Sequence, residues 1–185
     1  MFYNITMLVK KLYQGQKDMK EDIATLLVSA FPSDERPPVP YFFKSLERKG
    51  NNIYTYYLND EFIGFTYVTL YEDVCYLFFL AVSENKRHQG FGGQILEDIK
   101  KTYSDYVILL CFEEIDQKYP NYEERIKRKQ FYYSHGFQDN KLKTNEFGVI
   151  FETAFIGKHL VNFATYVEIF VLGFGEFARK YIKQA

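Results

Sequence analysis

Apolar residues along the chain recur at two different spacings, and those spacings lay out the elements. Residues 2–9 predict a first short strand. Asp18-Met19-Lys20-Glu21 has the form of a capping box, and Ile23, Leu26, Leu27 and Ala30 follow at the i, i+3, i+4, i+7 spacing of a helix face. Pro32, Pro37, Pro38 and Pro40 end that helix and predict a stiff extended connector, with a second short helix over residues 41–48. Beyond the turn Gly50-Asn51-Asn52, residues 53–58, 62–70 and 74–82 read as three strands. Their connectors are short enough for antiparallel hairpins. Residues 75–82 are apolar throughout, which predicts a central strand buried on both faces.

A loop over residues 83–89 leads into a helix carrying Ile95, Leu96, Ile99 and Tyr103 on one face, and residues 106–112 form another buried strand. Asn121 is the expected N-cap of a further helix, with Glu124 as its capping-box partner and Gly136 as its left-handed stop. Residues 147–155 predict a last strand and residues 159–182 a mostly apolar C-terminal helix. No internal repeat or domain-splitting linker interrupts the pattern, so residues 1–185 are expected to form a single domain. The order predicts an α/β (α+β) fold, a mixed sheet with helices on both faces.

Composition changes the picture little. The 185 residues are 47% hydrophobic and 25% charged, a globular balance, and the 19% aromatic share suggests aromatic-lined core and pocket surfaces. A net charge of −1 gives no global field for nucleic acid or an anionic membrane, so an anionic ligand must be held by local geometry. Cys75 and Cys111 lie in apolar runs and read as reduced core thiols. No stretch reaches a membrane span, and the first residues carry no basic segment before an apolar run. The expectation is a cytoplasmic protein. His88, His135 and His159 are scattered without metal-ligand spacing, so no metal is expected.

The sharpest chemical feature is Arg87-His88-Gln89-Gly90-Phe91-Gly92-Gly93, between a buried strand and an amphipathic helix. Glycines let the backbone approach a ligand closely, and the helix start adds unpaired N–H groups and a positive dipole end. Such a turn can cradle a pyrophosphate. A dinucleotide fingerprint would need glycine where Ile95 stands, and the Gly-Lys-Ser/Thr of a nucleotide-triphosphate loop is absent. The pattern that fits is Arg/Gln-x-x-Gly-x-Gly/Ala, as Arg87-x-x-Gly90-x-Gly92.

With Phe79-Leu80-Ala81-Val82 just before this turn, the strand 106–112 after its helix, and Phe131-Tyr132-Tyr133-Ser134-His135-Gly136-Phe137 beyond, residues 53–137 resemble the GNAT superfamily of acyl-CoA N-acyltransferases. The resemblance implies a mostly antiparallel sheet whose central strand parts from its neighbour. It implies that backbone groups of Leu80 and Val82 pair with the pantetheine arm of acetyl-CoA, with the Leu80 N–H also polarising the thioester carbonyl. Backbone groups around His88, Gly90, Gly92 and Gly93 would hold the pyrophosphate, flanked by Arg87. Tyr132 would protonate the departing thiolate. The acceptor amine would attack directly in a ternary complex, with no covalent enzyme intermediate.

A general base could come from Glu113, Glu114 or Asp116, with Glu113 favoured. Arg125 stands where many family members have Asn, Arg128 where a small residue is common, and the run 125–129 reads as a solvated helix face, with a contact to an anionic substrate or a CoA phosphate as the alternative. These departures keep open a non-catalytic acyl-CoA-binding module on the same fold. The prolines after Phe31 and the abundant aromatics favour a walled pocket and hence a small-molecule amine as acceptor. The apolar C-terminal segment is expected to pack on the core, with a homodimer interface as the other reading.

Overall fold

The computed structural model of the chain describes residues 8–33 and 35–185. In chain order its elements are β1 (Val9–Leu12), α1 (Lys17–Ala30), α2 (Val39–Lys44), β2 (Asn51–Leu58), β3 (Glu61–Tyr71), β4 (Val74–Val82), α3 (Phe91–Thr102) and β5 (Val107–Glu113). They are followed by α4 (Tyr122–Ser134), β6 (Gln138–Glu146), β7 (Val149–Ile156), α5 (Phe163–Phe174), α6 (Ala178–Tyr181) and β8 (Ile182–Gln184). The strands form one sheet in the order β1-β2-β3-β4-β5-β7-β6-β8. Every pairing is antiparallel except β4 with β5. The fold is therefore mixed and mostly antiparallel.

Both faces of the sheet are covered. On one, Leu96 and Ile99 of α3 pack against Cys75, Leu77, Ile108, Leu110 and Ala154. On the other, Ile23, Leu26 and Leu27 of α1, Phe42 of α2 and Tyr166, Ile169, Phe170 and Phe174 of α5 pack against Phe65, Tyr67, Tyr76, Phe79 and Leu109. The apolar surface of α5 thus goes into the core of the same chain. β4 feeds both cores, as an uninterrupted apolar strand between two helical layers must.

β4 carries a bulge at its centre. Tyr67 pairs with Phe79 and Val68 with Leu77, leaving Phe78 as an extra residue. The bulge cancels one step of the strand's alternation, so Phe78 and Phe79 both pack on the α1/α2/α5 side.

Several boundaries differ from expectation. The expected strand 2–9 lies outside the described residues up to residue 7, and the described strand runs Val9–Leu12. α1 begins at Lys17 behind Gln16, whose side chain accepts from Gln14 N–H, so Asp18 sits in the first turn rather than capping it. A carboxylate there still complements the helix dipole. α2 starts at Val39 and takes Pro40 into its first turn, where a missing N–H costs nothing, before tightening into a 3-10 turn over Ser45–Glu47. Asn121 makes no side-chain cap, because its Oδ1 accepts from Arg125 Nε at 2.9 Å.

The largest correction is β6, a strand that the sequence pattern does not announce. It joins β7 through Phe147-Gly148, whose positive φ angles of 53° and 99° suit a tight hairpin turn. The expected single helix over 159–182 is three pieces: α5 ends at Gly175, then come α6 and β8, which pairs with β6. Among the described residues no helix is long and apolar enough to cross a membrane.

Candidate active site

β4 and β5 stay paired only from Val74↔Val107 to Tyr76↔Leu109, and beyond that point they part. A cleft of about 1370 Å³ opens there, walled by Leu77 to Val82 on one side and Cys111 to Glu113 on the other. Ser83 N–H donates to Ile63 O across the β3 edge. Backbone groups alternate sides along a strand, so Leu80 and Val82 turn theirs away from β3, toward the gap. The Val82 carbonyl is already taken by Arg87 Nε at 3.1 Å, which pins the turn to the strand end.

At the mouth of the gap stands the turn before α3. His88 and Gly90 both have positive φ, 60° and 83°, and Gly90 is the N-cap of α3. The first intrahelical bond is Gln94 N–H to Gly90 O, so the N–H groups of Phe91, Gly92 and Gly93 are free of intrahelical partners. Lys86, Arg87 and His88 of this turn line the cleft, as does Lys127 of α4, with Lys86 paired to Glu61 at 2.6 Å. The arrangement fits a diphosphate: free amide hydrogens, a dipole end and several cations.

Tyr132 reaches the cleft from α4, its ring stacked on Phe112 at 6.0 Å and against Phe137 at 5.8 Å. Its hydroxyl makes no hydrogen bond among the described residues. Burial pushes its pKa up to about 12, against the opposing pull of the Arg128 guanidinium. It is therefore a protonated donor at neutral pH.

The carboxylates expected as bases are all committed to cations. Glu113 lines the cleft and is buried, but it is bonded to Arg128 Nη1. Glu114 pairs with Lys143 at 2.9 Å, and Asp116 pairs with Lys118 at 2.7 Å, which holds its carboxyl below the usual range. The expectation that residues 125–129 form a solvated face also needs correcting. Arg125 is buried, donating to Glu114 O at 2.8 Å and lying 3.9 Å over the Tyr119 ring, and Lys129 pairs with Glu152 at 2.6 Å. These cations fasten α4 to the sheet.

Sequence reasoning missed the most unusual carboxyl in the cleft, Glu146 at the end of β6. It is buried, and its partners are hydroxyls: Thr144 Oγ1 donates at 2.8 Å and Tyr166 OH donates from α5. Tyr76 OH stands 2.9 Å behind Tyr166 OH, and the Cys111 thiol lies beside both. Burial raises the Glu146 pKa to about 7, even though both hydroxyl bonds favour the ionised form. The signal that could have found it is the alternation Asn140, Leu142, Thr144, Glu146, all inward. Three of the four are polar, so the inward face does not read as one.

Residues 49–139 match the family model of the acetyltransferase (GNAT) domain. Over that segment the chain is similar to the GNAT acetyltransferases. Solved structures agree on the fold. A protein assigned to the GNAT family in Bacteroides thetaiotaomicron superposes with a TM-score of 0.76 at 17% identity, covering 91% of this chain and 99% of its own. An aminoglycoside 6'-N-acetyltransferase complexed with coenzyme A gives 0.64 at 15% identity, covering 83% and 98%. The ribosomal-protein-S18-alanine N-acetyltransferase from Escherichia coli gives 0.62 at 14%, covering 85% and 97%. No curated protein matches the sequence. The matched segment contains Leu80, the 87–93 turn and Tyr132. Glu146 and the α5 rings lie beyond it.

Proposed function

We propose that the protein transfers the acetyl group of acetyl-CoA to a primary amine, by direct attack in a ternary complex on one catalytic domain. The observation that carries this reading is the parting of β4 from β5 after Tyr76↔Leu109, which gathers the Leu80 backbone, the 87–93 turn and Tyr132 around one cleft. Acetyl-CoA would supply the activated thioester. The free N–H groups of Phe91, Gly92 and Gly93, with Arg87 and Lys127 beside them, hold the diphosphate. Leu80 and Val82 hold the pantetheine arm along the open strand edge.

Chemically, an N–C bond forms and the C–S bond breaks. The Leu80 N–H faces the oxygen that gains negative charge, and a fixed backbone donor there favours the transition state over the ground state. The Tyr132 hydroxyl donates to the leaving sulfur. With its pKa near 12, it acts as a hydrogen-bond donor whose proton moves only as charge collects on sulfur. The amine loses a proton to a carboxylate of the cleft or to water. Glu113 is the carboxylate nearest that role by sequence, and its ion pair with Arg128 must open or share the carboxylate for it to take the proton. The two free thiols, Cys75 and Cys111, fit a reducing cytoplasmic setting.

Calorimetric titration with acetyl-CoA, followed by a free-thiol assay with a panel of amines, tests the proposal. Binding with amine-dependent thiol release is the expected result. Binding without release would favour an acyl-CoA-responsive module on the same fold, and no binding would refute the assignment of the turn.

A further inference from the structure

The cleft has a second half, on the α1/α2/α5 side of the sheet, and its chemistry differs from that of the turn. Its inner wall is aromatic. Phe78, pushed to this face by the β4 bulge, meets Phe170 and Phe174 edge-to-face at 4.9 and 4.8 Å. At the rim, Phe147 and Phe177 remain 52% and 45% exposed, although both line the cleft. Phe147 occupies a hairpin position at φ +53°, where a side chain of this size is strained and Asn or Gly would sit at ease. Stacking on Tyr181 at 5.1 Å holds its ring there. Strain of this kind, retained at the edge of a cleft, points toward a role for the ring. Large rings left open to water at a cavity mouth are surface that a ligand can cover.

Within this aromatic half, Glu146 has no cationic partner among the described residues. Only hydroxyls reach it. A carboxyl ringed by aromatic carbon complements a single ammonium group, which gains from the carboxylate and from the ring faces together. It complements a polyamine or an aminosugar less well: beside Glu146 the further ammonium and hydroxyl groups would lie against Phe78, Phe170 and Phe174 and lose water there without gaining a partner, although polar residues such as Ser33 and Glu124 line the cleft too.

We infer that the acceptor half of the cleft binds a monoamine carried on an aromatic or compact apolar body, with its nitrogen facing Glu146 and its body between Phe78, Phe170 and Phe174 and the rim rings Phe147 and Phe177. This deepens the transfer reading by naming the acceptor class, and it rests on that reading only for the chemistry. The binding itself stands apart.

The test uses the full chain and 2-phenylethylamine as probe, titrated calorimetrically with and without saturating CoA and compared with spermidine and kanamycin. The phenylethylamine is expected to bind at least about tenfold more tightly than either polycation. The variant Glu146→Gln should weaken it about tenfold or more, and the paired rim variant Phe147→Ala/Phe177→Ala by a similar factor. The rim variant removes exposed rings, so it reads the site even if Glu146→Gln does not fold. Equal or tighter binding of spermidine or kanamycin would overturn the inference, as would unchanged affinity in the rim variant. Thiol release with kanamycin but no binding of phenylethylamine would overturn it while leaving acetyl transfer standing. Failure to bind acetyl-CoA would overturn the transfer reading, and the phenylethylamine titration would still decide the acceptor class.

Discussion

The two halves of the cleft are built from different materials. The half at the 87–93 turn is made of backbone: free N–H groups at the start of α3, the open edge of β4, and a φ of +83° at Gly90 that sets the path. The half at Glu146 is made of side chains drawn from β4, β5, β6 and α5, linked by hydroxyls and lined with rings. A backbone site depends on local conformation and tolerates almost any side chain that stays out of its way. A side-chain site depends on distant register, and a one-residue slip of β6 would turn Glu146 to the opposite face. The first kind suits a ligand shared by many proteins, the second a ligand peculiar to one.

The comparison breaks most sharply at Gly92. A Cβ there would meet the Phe131 ring at 3.5 Å, an ordinary contact, so Gly92→Ala should leave the fold and acetyl-CoA affinity nearly unchanged. Gly92→Glu places a carboxylate against the expected diphosphate and should lower affinity by at least about 100-fold, or ~2.7 kcal/mol. Calorimetry on the two variants separates the effect of a bare Cβ from that of a long anionic side chain. Equal affinities would move the diphosphate elsewhere.

Tyr132 comes next, where the two halves meet. Tyr132→Phe keeps the ring stacked on Phe112 and removes only the hydroxyl, so stability should change little. Turnover should fall by roughly one to three orders of magnitude, the scale of a lost general acid, at nearly constant acetyl-CoA affinity. Unchanged turnover in a steady-state assay would remove the hydroxyl from the chemistry.

For the side-chain half the sharper probe is pH. The Glu146 carboxyl is raised from 4.5 to about 7 by burial, and the groups facing it, Thr144, Tyr166 and beyond them Tyr76 and Cys111, are all neutral. Between those values the native state keeps a proton that the unfolded chain has released. This contribution to stability is therefore full below about 4.5, declines as pH rises through 7, and is flat above. Glu146→Gln should remove a decline of about 3 kcal/mol, read as denaturation midpoints from pH 4.5 to 8. An identical slope in the variant would show that the carboxyl ionises freely.

The same contrast explains what could be read from sequence. The α1 face, the three hairpin strands and the turn were legible because each is a local pattern of period, glycine or spacing. β6 was not, because its inward residues Asn140, Thr144 and Glu146 are polar and its outward ones include Lys141 and Lys143, leaving no contrast of hydrophobicity to detect. The break after α5 was hidden for the opposite reason. Apolar residues continue past Gly175 at Phe177 and Ala178, so the pattern runs on where the φ of +108° at Gly175 ends the helix. Arg125 reads as a surface cation in a basic run, and only the fold brings Glu114 O and the Tyr119 ring to it.

The smallest effect asks whether the backbone half is as independent of side chains as it looks. A Cβ at Gly93 would lie 2.8 Å from His135 Nε2, closer than real contacts allow. The His135 ring cannot swing away freely, since its Nδ1 lies 2.7 Å from Phe131 O and the ring packs on Phe131 at 4.5 Å. Gly93→Ala should therefore cost about 1–2 kcal/mol, an overpacking penalty, in chemical denaturation. Adding His135→Ala should restore most of that loss, a non-additivity expected only of residues in contact. Because this contact seats α3 against the helix that carries Tyr132, the single variant should also lower turnover more than it lowers acetyl-CoA affinity. Equal losses in both would mean that the turn binds and positions on its own, and that the two halves are joined only by the ligand.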